Sequence, residues 1–159
     1  MNLFSSILLE YKGTKQAVKY WTMKRIIVLL MIATAVSVSL TAQKQHRVVF
    51  EITSADSADY RGVLRSVNNV LKDAPGTKIE IVCHGPAIFM LVKEKTALSD
   101  IMQELQSKQG VAFAACANSM RKNNLDKSQL VAVATIVPNG VMEVVSKQED
   151  GWSYIRSGH

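Results

Sequence analysis

From residue 47 onward the apolar residues follow two alternating rhythms: short continuous β-branched runs, and longer stretches with an apolar residue at every third or fourth position. Arg47-Val48-Val49-Phe50-Glu51-Ile52 predicts a first strand, and Ser54 and Asp56 beyond it offer helix caps. Tyr60, Val63, Leu64, Val67, Val70 and Leu71 then keep helical spacing until Asp73-Ala74-Pro75-Gly76 ends the helix with turn residues. Residues 78–83 predict the second strand, His84-Gly85-Pro86 breaks it, and a short apolar helix is expected over 87–92. Ser99 is expected to cap a helix carrying Ile101, Met102 and Leu105, which Gly110 terminates. The third strand is expected over 111–115, and Asn118 and Ser119 open a helix that stops near Asn123-Asn124. The valine-rich run 130–137 predicts a fourth strand, and Pro138-Asn139-Gly140 turns the chain. Val141, Val144, Val145 and Trp152 fall on one face of a last helix, with Tyr154-Ile155 as a short terminal strand.

Strands alternating with helices predict an α/β fold: a three-layer sandwich with a mainly parallel sheet of about five strands. Right-handed crossovers put helices on both faces, and ligands bind outside the carboxyl ends of the strands. Three features fall at those ends: Ser54 to Asp56, Cys83-His84-Gly85-Pro86, and Cys116 with Asn118 and Ser119. The topology thus carries both cysteines to one rim.

Cys116 follows a buried run and precedes a helix start, where unpaired backbone N–H groups and the helix dipole favour a thiolate. Arg121, about one turn on, adds a positive charge of the same effect. The competing reading is a small, inert, buried cysteine. Cys83, His84 and Cys116 are three soft or borderline ligands for zinc or copper. Adjacent residues at a strand end point in different directions and no fourth ligand is evident, so neither a metal nor a cofactor is expected. His84-Gly85-Pro86-Ala87 reads as a strand-to-helix turn in preference to an anion site at a helix start.

Composition changes the picture mainly at the N-terminus. Met23-Lys24-Arg25, an apolar stretch over 26–40 and Thr41-Ala42-Gln43 form the basic, apolar and small-residue parts of a secretory signal. The apolar part is shorter than the roughly 20 residues of a spanning helix. Residues 23–42 are therefore expected to be a cleaved signal, with membrane attachment only if that segment is retained. Residues 1–22 are expected to be an overlong extension ahead of a start at Met23. Residues 43–159 are then one periplasmic or secreted domain, in a compartment where cysteine pairs can oxidise. Of the net charge of +6, residues 1–42 supply 5 basic against 1 acidic residue, leaving 14 against 12 for 43–159. No dense basic run is present, so no nucleic-acid partner is expected.

The cysteine-bearing segments Ile79-Glu80-Ile81-Val82-Cys83-His84-Gly85-Pro86 and Val111-Ala112-Phe113-Ala114-Ala115-Cys116-Ala117-Asn118-Ser119-Met120-Arg121 carry a resemblance in their order and spacing. Together with Val137-Pro138-Asn139-Gly140-Val141 and Gly151-Trp152-Ser153-Tyr154-Ile155, they resemble the DsrE/DsrF-like sulfur-relay family over nearly all of 46–156. The resemblance implies a YchN-like domain assembled as homotrimers or homohexamers. It also implies a persulfide carried on Cys116, with a sulfur donor or acceptor protein as partner. Cys83, His84, Gly85, Asn118, Ser119 and Arg121 are expected around that site, with Cys83 as a resolving thiol. The expectation is a sulfurtransferase-like carrier or thiol-redox protein; the alternative is a non-catalytic oligomeric module of the same fold binding a small ligand or metal.

Overall fold

The architecture is given by a computed structural model, whose described residues are 21, 23–25 and 45–158. The expectations for residues 1–22 and 23–42 lie largely outside them. Among the described residues no helix is long and apolar enough to cross a membrane.

Strand β1 (Arg47–Ile52) leads through helix α1 (Ser57–Asp73) to β2 (Lys78–Cys83). A 3₁₀ helix (Gly85–Leu91) and α2 (Ser99–Gln109) then lead to β3 (Ala112–Cys116). The short α3 (Ala117–Lys122) precedes a 3₁₀ turn (Lys127–Gln129) and β4 (Ala134–Val137), and α4 (Gly140–Glu149) connects to β5 (Ser153–Ser157). The sheet has five strands in the order β4-β3-β2-β1-β5, and every pairing is parallel. With helices on both faces this is the expected α/β sandwich.

The chain order explains the unequal layers. From β1 to β4 each strand is added on the same side, so right-handed crossovers keep α1, α2 and α3 on one face. The step from β4 to β5 runs back across the sheet, and the same rule puts α4 on the other face. Val48, Phe50, Ile52, Ile79, Ile81, Cys83, Phe113 and Ala115 point into the first layer, against Val63, Leu64 and Val67 of α1, Met102 of α2 and Met120 of α3. The alternate residues Val49, Val82 and Ala114 meet Val144 of α4 in a much smaller second core. At the carboxyl ends the connection from β3 leaves for one face and that from its neighbour β4 for the other, the switch point at which a parallel sheet opens a crevice.

Several boundaries differ from the sequence reading. β4 begins at Ala134, not at residue 130: Leu130 makes an isolated antiparallel bridge to Val92, and Val131 donates its N–H to Leu91. Burial of Leu130, Val131 and Val133 in the first core explains their apolar character without a strand. Ser99 is the first residue of α2, whose cap position is held by Leu98 without a side-chain bond. The apolar segment after Pro86 is 3₁₀. Val141 is exposed, and only Val144 of the expected face is buried.

Candidate functional site

β3 ends on Cys116 and α3 starts at the next residue, one position earlier than the capping residues suggest. Cys116 is therefore the N-cap itself, with extended backbone at φ −70° and ψ 116°. The N–H groups of Asn118 and Ser119, orphaned at the start of α3, make no capping hydrogen bond to the sulfur and favour its anion through their dipoles. A second helix supplies a direct hydrogen bond: Gly140, first residue of α4, donates its N–H to Sγ at 3.2 Å. Ser119 Oγ accepts the Gly85 N–H at 2.7 Å, which leaves its own hydrogen for the sulfur. Burial pushes the Cys116 thiol up, but the Gly140 N–H, the Ser119 hydroxyl and the α3 N–H groups outweigh it and hold the thiol below its ordinary value. The residue is only 3 % exposed.

Two glycines make this approach available. Gly85 adopts φ +59°, a left-handed conformation that side chains disfavour, and so aims its N–H at Ser119. At Gly140 a Cβ would stand 2.9 Å from His84 Cβ and 3.2 Å from Cys116 Cβ. The start of α4 is thus wedged between the cysteine and the histidine. Asn139 fixes that start by accepting the Val141 N–H on Oδ1 at 3.0 Å.

His84 lies immediately beyond β2 on the α4 face. Its Nε2 is 2.7 Å from Glu51 Oε1 of β1, and the other carboxylate oxygen of Glu51 accepts the hydroxyl of Tyr154 of β5. Burial works to raise the Glu51 carboxyl, yet the bonds from Tyr154 and His84 leave it below its usual value. Further along the same face, Glu80 is buried and paired with Lys147 Nζ at 2.5 Å, while Lys147 also lies 3.4 Å from Glu143.

The structure separates the two cysteines. Cys83 and Ala115 are paired in register and point into the first core, so Cys116, one residue beyond Ala115, belongs to the opposite face. Both thiols are free, and Cys83 packs its sulfur 4.0 Å from Met90 Sδ. Burial pushes the Cys83 thiol up to about 12. The resolving-thiol expectation therefore has no geometric support, because sharing a rim is not sharing a face. Arg121 is committed to Asn118 Oδ1 at the surface, and it is N–H and O–H donors that hold the sulfur anion. Ser54 and Asp56 serve as turn and cap: Ser54 accepts from Asp56 N, and Asp56 from Ala58 N. Among the described residues no three His, Cys, Asp or Glu side chains gather as a metal site.

Glu51, Tyr154 and Gly140 escaped the sequence reading as site residues. Glu51 carried a signal, since a charged residue inside a strand of a parallel sheet covered on both faces needs a partner.

Fold and site together define a small parallel α/β protein that presents one cysteine to the starts of two helices. The model of the DsrE/DsrF-like family matches residues 39–156, and the chain belongs to that family. Among solved structures it is similar to the protein of unknown function MTH1491 from Methanobacterium thermoautotrophicum, with 32% identity and a TM-score of 0.67. That match covers 70% of this chain and 99% of the other. No curated protein matches the chain.

Proposed function

We propose that this protein is a sulfur carrier in which Cys116 holds sulfane sulfur as a persulfide. Membership of the DsrE/DsrF-like family supports a sulfur-relay or related role in general. The observation that carries the narrower reading is the Gly140 N–H on Cys116 Sγ at 3.2 Å, joined by the donors of α3. A thiolate stabilised in this way attacks the outer sulfur of a donor persulfide R–S–SH. The Cys116–sulfur bond forms as the donor S–S bond breaks, the electron pair leaves on R–S⁻, and no net oxidation is required. Because Cys83 is in the other layer, the sulfur leaves Cys116 by attack of a thiolate from another molecule. The reading includes export directed by residues 23–42 and work as a homo-oligomer outside the cytoplasm.

The test is intact mass after incubation with glutathione persulfide. An adduct of about 32 Da, one sulfur atom, is expected on the wild type and on Cys83→Ala but absent from Cys116→Ser. An unmodified Cys116 across neutral pH overturns the proposal in favour of a non-catalytic module of the same fold.

A further inference from the structure

The groups that stabilise the Cys116 anion do not dispose of its proton. Backbone N–H groups cannot accept one, and the Ser119 oxygen already accepts the Gly85 N–H. A base is needed on the same face of the sheet, and the structure puts His84 there. Its Cβ and Cγ lie 2.9 and 3.2 Å from the point where a Gly140 Cβ would stand, a point also 3.2 Å from Cys116 Cβ. Histidine and cysteine therefore flank the same glycine.

The imidazole is held by two further strands. Glu51 Oε1 is 2.7 Å from Nε2, and Oε2 accepts from the Tyr154 hydroxyl. An ionised carboxylate only accepts, so Nε2 carries hydrogen and Nδ1 of neutral His84 is the nitrogen able to take a proton. The His84 and Glu51 side chains are 17% and 16% exposed, so the pair is largely screened from water. Other charged groups on this face are Arg156 of β5, whose charge acts on Glu51, Lys147 and Glu143 of α4, which are engaged with Glu80, and, at the opposite end of the strands, the paired Arg47 and Lys78.

We propose that His84, oriented by Glu51 and Tyr154, is the proton reservoir of the Cys116 site: Nδ1 takes the thiol proton as the thiolate forms and returns it to the thiolate released from the donor. This inference rests on the sulfur-carrier reading for the second half of that cycle. The balance is Cys116–SH plus R–S–SH giving Cys116–S–SH plus R–SH, with His84 neutral before and after. Glu51 and Tyr154 are positioning residues, acting through the imidazole.

Two measurements on the full chain test it. The first is the rate of Cys116 alkylation by iodoacetamide from about pH 5 to about pH 9, which reads the pH at which the thiolate forms. In His84→Gln the alkylation profile is expected to move to higher pH than in the wild type. The second is sulfur transfer from glutathione persulfide, expected to fall about 100-fold in His84→Gln, the low end for losing a positioned acid-base group. Glu51→Gln keeps an acceptor for Nε2 without its charge, so a smaller shift of the same sign is expected; this variant decides the question if His84→Gln does not fold. Wild-type profiles and wild-type transfer rates in folded His84→Gln overturn the inference. If the wild type takes up no sulfur but the alkylation profile of His84→Gln still moves to higher pH, the carrier reading fails while the coupling of His84 to Cys116 stands.

Discussion

A Cβ on Gly140 would lie 2.9 Å from His84 Cβ and 3.2 Å from Cys116 Cβ, so an alanine there must move the start of α4, the histidine or the cysteine. The Gly140 N–H is also the donor whose bond to Sγ does most to offset burial of the thiol. Gly140→Ala is accordingly expected to destabilise the protein by about 1–3 kcal/mol through overpacking, read by urea unfolding. It is also expected to raise the pH at which Cys116 alkylation reaches half its plateau. The sign follows from the direction of the shift: a thiol held below its ordinary value is ionised at lower pH, and losing a donor moves it back up. An alkylation profile identical to wild type would mean that the Gly140 bond does not control the thiolate. Ser119 acts at the same scale, since its hydroxyl accepts the Gly85 N–H and favours the sulfur anion.

The element that brings Gly140 into place is α4, whose first turn depends on the Asn139 side chain at 3.0 Å from the Val141 N–H. Asn139→Ala is expected to cost about 1 kcal/mol by urea unfolding, and Asn139→Asp to recover most of it, because aspartate accepts the same N–H. The Cys116 alkylation profile should move less than in Gly140→Ala, since the donor N–H itself is retained. Strands and helices were largely legible in the sequence because buried parallel strands read as apolar runs and α1 as an amphipathic stripe. Residues 130–133 misled because burial alone makes a segment apolar: Leu130 and Val131 fill the first core beside Val92 and Leu91 without joining the ladder. Cys116 was legible as a reactive candidate from its place between strand and helix. The donor from α4 was not, because it comes from 24 residues further along the chain and only the reversed crossover brings it over β3.

At the scale of the whole molecule, the two cysteines report on layers of unequal depth. Cys83 belongs to the large core under α1, α2 and α3, whereas Cys116 lies on the face covered by α4, whose own core is Val49, Val82, Ala114 and Val144. Opening the thin layer requires α4 to lift, a local event exposing little apolar surface; opening the thick one is close to global unfolding. Cys116 combines that thinner cover with a thiol held low, and Cys83 combines the deeper layer with a thiol pushed up to about 12. Labelling with a small thiol reagent in native buffer is therefore expected to give one adduct, located at Cys116 by peptide mapping. Cys83 should label only as urea approaches the global transition. The same separation predicts that oxidation of dilute protein yields no internal disulfide, because a Cys83–Cys116 bond would have to pass through the sheet. Native labelling of Cys83 at a rate equal to that of Cys116, or a mass about 2 Da lower after oxidation, would contradict the assignment of the thiols to opposite faces. On the sulfur-carrier proposal, sealing Cys83 in this way means that the second thiolate, the one that removes sulfur from Cys116, comes from another molecule.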